Sequence, residues 1–229
     1  KVIVEKTGDP KIFVGGNISR DGRYLFYSKW HGWNSSDLYF KDLKKGDKEF
    51  RTIVENTDSM YMIEDHKDQF YILTNEGASR YRVMKVSAKN PERKNWQEII
   101  PEFEDGSVID NMQIVGGKIV LTLIQDVKSD LQVFDFDGKL VRDIELPGVG
   151  ASFGMTGNPE DDEAYFSFQS FTMPNTIYKT SIASGTSDVW AKVNVPIDPD
   201  PYTVEQVFFD SKDGTKIPMF LVYRKDMPR

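Results

Sequence analysis

Short runs of alternating apolar and polar residues recur along almost the whole chain, each bounded by a cluster of turn-forming residues. Alternation of period two places one face of a segment on a core and the other toward solvent, the mark of a half-buried β-strand. The pattern predicts strands at Phe13–Ser19, Arg23–Lys29, Asp37–Leu43 and Glu49–Val54, then Ser59–Glu64, Gln69–Thr74, Arg80–Ser87 and Trp96–Ile100. It continues at Val108–Val115, Lys118–Asp126, Asp130–Asp135 and Leu140–Glu145, and again at Ser152–Thr156, Glu163–Gln169, Thr176–Ser181 and Asp188–Lys192. Asp21-Gly22, Gly116-Gly117 and Asp137-Gly138 supply tight turns of the kind that close hairpins. The stretch 88–95 reads as a polar outer loop, and no segment sustains the 3.6-residue period of a helix.

Grouped in fours, these strands repeat at roughly 45–50 residues, the spacing of four-stranded propeller blades. The fold class is therefore all-β, a β-propeller of about four blades. Lys1–Lys6 reads as a short strand left over from an earlier unit, and Val195–Pro201, with Pro196, Pro199 and Pro201, as a stiff extended linker. After it, two apolar runs within Val204–Arg224 flank Lys212-Asp213-Gly214-Thr215, a strong hairpin signal. A hairpin of this kind is not stable alone. It reads as the opening of a further domain. The expected division is a partial propeller over 1–195, a linker over 196–201, and the truncated N-terminal hairpin of the next domain over 202–229.

Composition narrows the classes. With 39% hydrophobic, 13% aromatic and 28% charged residues, the chain can build a packed core. A net charge of −7 argues against a nucleic-acid groove. Without cysteine, thiol catalysis, cysteine-ligated zinc and a disulfide scaffold are excluded. The same absence fits a reducing cytoplasm, the expected location, while leaving periplasmic and secreted settings open. No apolar run nears the roughly 20 residues that a membrane-spanning helix needs. No membrane partner is expected.

Several motifs invite chemistry. Gly150-Ala151-Ser152-Phe153-Gly154 fits the G-x-S-x-G nucleophile elbow, which requires a strand-to-helix turn and a histidine later in the chain. Here Asn158-Pro159 and a further strand come next, and both histidines, His31 and His66, precede Ser152. Ser152 is read as a non-catalytic serine, and the glycines as packing devices of an inner strand. The two histidines lie in different units and no cluster of carboxylates surrounds either at ligand spacing, and Asp161-Asp162-Glu163 and Asp198/Asp200 lack the calcium-loop layout. No metal and no organic cofactor are expected. Asn17-Ile18-Ser19 and Asn34-Ser35-Ser36 match the glycosylation sequon, which means nothing without a secretory route. The most suggestive local feature is the loop Trp30–Ser35 with two tryptophans. Packing of both rings against neighbouring blades is the favoured reading; an apolar wall on a peptide cavity is the functional one.

The residues Ser211–Phe220 closely match the junction between propeller and peptidase domain in the prolyl oligopeptidases. Further tracts resemble that family in order and at matching spacing: Ser79–Val83 with Asn90–Glu92 and Trp96, then Gln125–Ser129, then Phe168–Pro174 with Ile177-Tyr178 after it. Oligopeptidase B is similar in architecture, but Lys212–Met219 favours the prolyl enzymes.

The resemblance implies the last four blades of a seven-bladed propeller, followed by the first β-hairpin of an α/β-hydrolase domain. It implies a parent serine peptidase that hydrolyses short peptides after proline, with the propeller gating access to the site. The family's catalytic serine, aspartate and histidine would lie beyond Arg229, so this chain holds no catalytic residue and is expected to be inactive alone. Substrate-cavity contacts carry over to Val14, in the strand that opens the first unit, and to Trp33 and Asn34. The implied partners are short proline-containing peptides and the missing hydrolase domain of the same chain, in a monomer. The alternative is a non-catalytic propeller acting as a binding scaffold, which fold alone does not distinguish.

Overall fold

Each predicted group of four strands forms one antiparallel sheet in the computed structural model, which describes residues 3–196, 198 and 200–227. The first sheet contains β1 (Ile12–Ile18), β2 (Tyr24–His31), β3 (Ser35–Asp42) and β4 (Arg51–Val54), paired in chain order. The second contains β5 (Tyr61–His66), β6 (Gln69–Thr74), β7 (Arg82–Ser87) and β8 (Gln97–Ile100). The third contains β9 (Val108–Val115), β10 (Lys118–Gln125), β11 (Lys128–Phe134) and β12 (Leu140–Ile144). The fourth contains β13 (Ala151–Gly157), β14 (Glu163–Gln169), β15 (Thr176–Ser181) and β16 (Ser187–Lys192). A two-stranded sheet, β17 (Tyr202–Asp210) with β18 (Lys216–Arg224), completes the order. Four consecutive meanders of four strands are the blade pattern of a β-propeller.

The chain forms two compact units, residues 1–102 and 103–229. In the first, Tyr24, Phe26, Phe40 and Phe70 make the centre of a core between two sheets. The Phe70 ring is fully buried and meets Tyr24 and Phe40 edge-on, at 5.0 Å in each case. Burying such a ring contributes about 2–3 kcal/mol, and each edge-on pair adds about 0.5–1.5 kcal/mol. In the second unit the third and fourth sheets share a core of Val115, Val133, Met155, Phe166, Phe168 and neighbours. The alternation that predicted these strands also chose these faces. In β14, Ala164, Phe166 and Phe168 are buried, and the residues between them are not.

Two expectations are corrected. Lys1 and Val2 lie outside the described residues, and residues 3–6 form no strand; Ile3 and Val4 instead line a groove beside β1. The loop expected at Trp30–Ser35 shrinks to a three-residue turn, Gly32-Trp33-Asn34, because Trp30 and His31 extend β2 and pair with Ser36 and Ser35. The outer loop 88–95 ends in one 3-10 turn, Arg93–Asn95, and then Trp96, whose indole N–H donates to the Pro91 carbonyl at 2.9 Å. Residues 197 and 199 of the proline-rich stretch also lie outside the described residues.

Candidate functional site

The β2–β3 hairpin brings the two tryptophans to different fates. Trp30 lies on the strand, where its ring occupies the space above Gly15: a Cβ at Gly15 would stand 2.7 Å from the indole. That close approach explains the glycine in β1 and packs Trp30 within its own sheet, whereas the expectation was that both rings pack against neighbouring blades. Trp33, at the tip, is 93% exposed, and Asn34 beside it is exposed too. Leaving an indole in water forgoes a burial gain of several kcal/mol at about 25 cal/mol per Å². A ring so placed is available to something outside this unit.

Val14 is half exposed on β1, opposite Lys29. It lines a groove of about 270 Å³ with Gly15, Gly16, Tyr27, Phe50 and Ile3. Because Ile12 pairs with His31, Val14 lies two residues in from the edge that carries the Trp33 turn. Val14 and Trp33 thus belong to the same end of one sheet, separated along it by on the order of 13 Å at the rise of a strand.

The polar groups beneath this tip were not anticipated as a set. His31 Nε2 is 2.9 Å from Asp37 Oδ2, and the Asn56 backbone N–H donates to Asp37 Oδ1 at 3.0 Å. The Asp37 side chain is almost fully buried, so these partners replace the water it has lost. Tyr39 donates to Glu55 at 2.8 Å, and burial, then the carboxylates of Glu55 and Asp37, raise its phenol well above the usual range. Lys29 places its ammonium 5.1 Å from the centre of the Tyr39 ring. The network orients the His31 imidazole and stiffens the hairpin that carries Trp33. The register made it findable in principle: Lys29, His31, Asp37 and Tyr39 share one face once Tyr27 is paired with Tyr39.

Ser152 does not sit in an elbow. It lies within β13, its backbone N–H donates to Ser129 Oγ at 2.9 Å, and its own buried hydroxyl has no hydrogen-bond partner among the described residues. The next element is strand β14, not a helix. Of the two glycines, Gly150 is a packing glycine, as expected. Gly154 instead faces open space with φ of +55°, at a break in the β13–β14 register. His66 closes β5. Among the described residues no group of three or more potential metal ligands occurs, and no helix is long and apolar enough to cross a membrane.

A family model described as the prolyl oligopeptidase N-terminal β-propeller domain matches residues 1–193. The prolyl endopeptidase of Elizabethkingia meningoseptica is 34% identical over 221 residues, which is 96% of this chain and 31% of that protein. The prolyl endopeptidase of Dictyostelium discoideum is 25% identical over 244 residues, covering 98% of this chain and 32% of that protein. A solved chain from a structural and mechanistic study of two prolyl endopeptidases superposes on all of this chain with a TM-score of 0.90 and 46% identity, over 33% of its own length. The apo form of prolyl oligopeptidase B from Galerina marginata, at 22% identity and a TM-score of 0.85, shares the fold. The chain thus spans about a third of the length of the relatives it matches.

Proposed function

The chain belongs to the prolyl oligopeptidase family, through the N-terminal β-propeller domain, and from that premise we propose that it is the propeller part of a serine peptidase that cuts short peptides after proline. The observation that carries the proposal is the match over residues 1–193, continued by a full-length superposition that takes in the β17–β18 hairpin. In this reading 1–195 is the later part of a seven-bladed propeller, 196–201 a linker and 202–229 the opening of an α/β-hydrolase domain. The serine that forms the acyl-enzyme, with its histidine and aspartate, belongs to that domain. No residue of this chain does covalent chemistry.

The propeller's part is selection. It covers the site, keeps bulk water and folded proteins away from it, and yields to short peptides when the domains separate. Val14 and the Trp33–Asn34 tip are the proposed contacts with the substrate. An exposed indole offers a peptide a large rigid apolar surface at little entropic cost, with the Asn34 amide beside it for a peptide carbonyl or N–H. We place the protein in the cytoplasm, as a monomer, on the absence of cysteine and the acidic net charge.

The test is steady-state hydrolysis of matched fluorogenic peptides, with proline or alanine before the scissile bond, by the natural polypeptide that contains this sequence. Cleavage after proline, and none by residues 1–229 alone, is the expected result. Trp33→Ala should raise KM roughly five-fold with kcat unchanged, as loss of uniform binding does. No proline-dependent cleavage by the natural polypeptide would make the chain a binding scaffold instead.

A further inference from the structure

Two tracts singled out in the sequence, Gln125–Ser129 and Phe168–Pro174, carry no chemistry in the peptidase reading. In the second unit both meet the β17–β18 hairpin. The side-chain amide of Gln206, on β17, donates to the Asp126 carbonyl oxygen at 2.5 Å, across 80 residues of sequence. The ring of Phe220, on β18, lies 5.4 Å from that of Phe171. Gln206 and Phe220 are directly paired across the hairpin, so one cross-strand pair reaches two different sheets.

The acceptor side of the first contact has an unusual backbone. Asp126 and Val127, which join β10 to β11, have φ of +51° and +67°. A two-residue turn with both centres left-handed matches the twist of a hairpin, but it normally takes asparagine or glycine. Valine there costs about 1–2 kcal/mol, and its side chain, 66% exposed, makes little of that back in packing. A β-branched residue held left-handed is the kind of backbone outlier from which a functional role is sought.

The base of this turn is fixed to the fourth sheet. The Ser129 N–H donates to the Gly150 carbonyl at 2.9 Å, and Ser129 Oγ accepts from the Ser152 N–H at 2.9 Å. Gly150 in turn packs against Phe168 and Gln169, the end of the strand that leads into the Phe171 loop. That loop is preformed: Ser170 Oγ accepts from the Thr172 and Met173 N–H groups at 3.3 and 3.1 Å, and the Ser170 N–H donates to the Met173 carbonyl at 3.0 Å. Between loop and hairpin lies a cleft of about 470 Å³ lined by Phe171, Met173, Pro174, Val195, Tyr202 and Val222.

From this arrangement we infer that the two tracts are a two-point catch for the hairpin. Asp126 holds it by a hydrogen bond and Phe171 by an aromatic contact, on a base made rigid by Ser129 and Gly150. The hairpin docks and leaves as one piece, because an isolated two-stranded ribbon is marginal in water and depends on being held. Phe171 and Gln206 are positioning residues. They set where the chain beyond Arg224 starts relative to the third and fourth sheets. The inference holds whether or not the parent is a peptidase.

Amide hydrogen exchange of the 229-residue chain, resolved by segment, tests it without any assay of activity. Protection across β17–β18 reports docking, since the undocked ribbon protects little. Gln206→Ala and Phe171→Ala should each speed hairpin exchange roughly five-fold, and the double variant roughly thirty-fold, at the size of one hydrogen bond or one aromatic contact. Exchange in β9–β16 should stay at the parent rate, and Lys212→Ala, at the hairpin tip, should change nothing. Unchanged hairpin exchange in the double variant would overturn the inference. Equal acceleration in β9–β16 would also overturn it, because the contacts would then stabilise the unit as a whole.

Discussion

A methyl group added at Gly150 would stand 2.3 Å from the Gln169 carbonyl oxygen and 2.5 Å from the Phe168 ring. One of these neighbours is backbone in a paired strand, which cannot swing aside as a side-chain end can. Two residues on, the Ser152 hydroxyl is buried with no hydrogen-bond partner among the described residues. The two positions of the G-x-S-x-G match therefore make opposite demands. Gly150→Ala should destabilise the chain by about 3 kcal/mol, the upper range for forcing extra volume into a packed site. Ser152→Ala should be neutral or slightly stabilising, because it removes an unsatisfied hydroxyl at the cost of one oxygen's volume. Urea unfolding of both variants checks this; a Ser152→Ala loss as large as that of Gly150→Ala would contradict it. The pattern was legible as a match and, from the Asn158-Pro159 break and the strand pattern after it, as a false one. What Gly150 packs against was not legible, since Gln169 is nineteen residues away.

At the scale of elements, the first and second sheets are joined by charge as well as by rings. Arg23 reaches Asp42 on its own sheet at 3.1 Å and pairs with Asp68 in the β5–β6 turn, and the Tyr24 hydroxyl donates to Asp68 at 3.2 Å. Burial pushes the Asp42 carboxyl up, but the Arg23 hydrogen bond and the Lys45 N–H outweigh it, leaving the group below its ordinary value. Lys44, then Ser19 and the Arg23 N–H, hold Asp21 at about 2 against its own desolvation. Asp65 behaves oppositely: desolvation, then the Asp21 charge, raise it to about 6, and Arg23 offsets only part of this. The two kinds of carboxyl therefore give stability opposite dependences on pH. The depressed carboxyls add stability above the unfolded value of about 3.9, which is lost as pH falls through their folded values. Asp65, raised, adds stability that is complete below about 3.9 and is lost as pH rises through 6. Asp65→Asn should stabilise the chain at pH 8 by about 2 kcal/mol, after allowance for solvent screening, and by almost nothing at about pH 4. Thermal unfolding at the two pH values measures it. An equal gain at both would show that Asp65 is not the titrating group. Sequence placed Asp65 next to a strand but gave no sign of this, because Asp21 and Arg23 approach it from another sheet.

For the whole molecule, period-two alternation and turn chemistry were enough to set out the strands of four sheets and a terminal hairpin. Errors fell where local rules and tertiary pairing disagree. Gly32 made Trp30 look like a loop residue, although Trp30 is paired on both sides, with Phe13 and Ser36. Ile3 and Val4 belong to a short apolar run that reads as a strand, yet among the described residues they line the first-sheet groove with no strand assigned. Val127 gives no turn signal, so the β10–β11 turn was expected to be wider than it is. Of the candidate wall, the exposure of Trp33 could be suspected from its place beside a turn glycine. The His31–Asp37 pair under it needed the strand register.

The central claim is that this chain is the non-catalytic propeller portion of a serine peptidase. Its most direct test is labelling of the natural polypeptide with a serine-directed fluorophosphonate, with peptide mapping of the product. The label is expected on one serine outside residues 1–229, with Ser152 unmodified. A label on Ser152, or on any other serine within the 229 residues, would contradict the account.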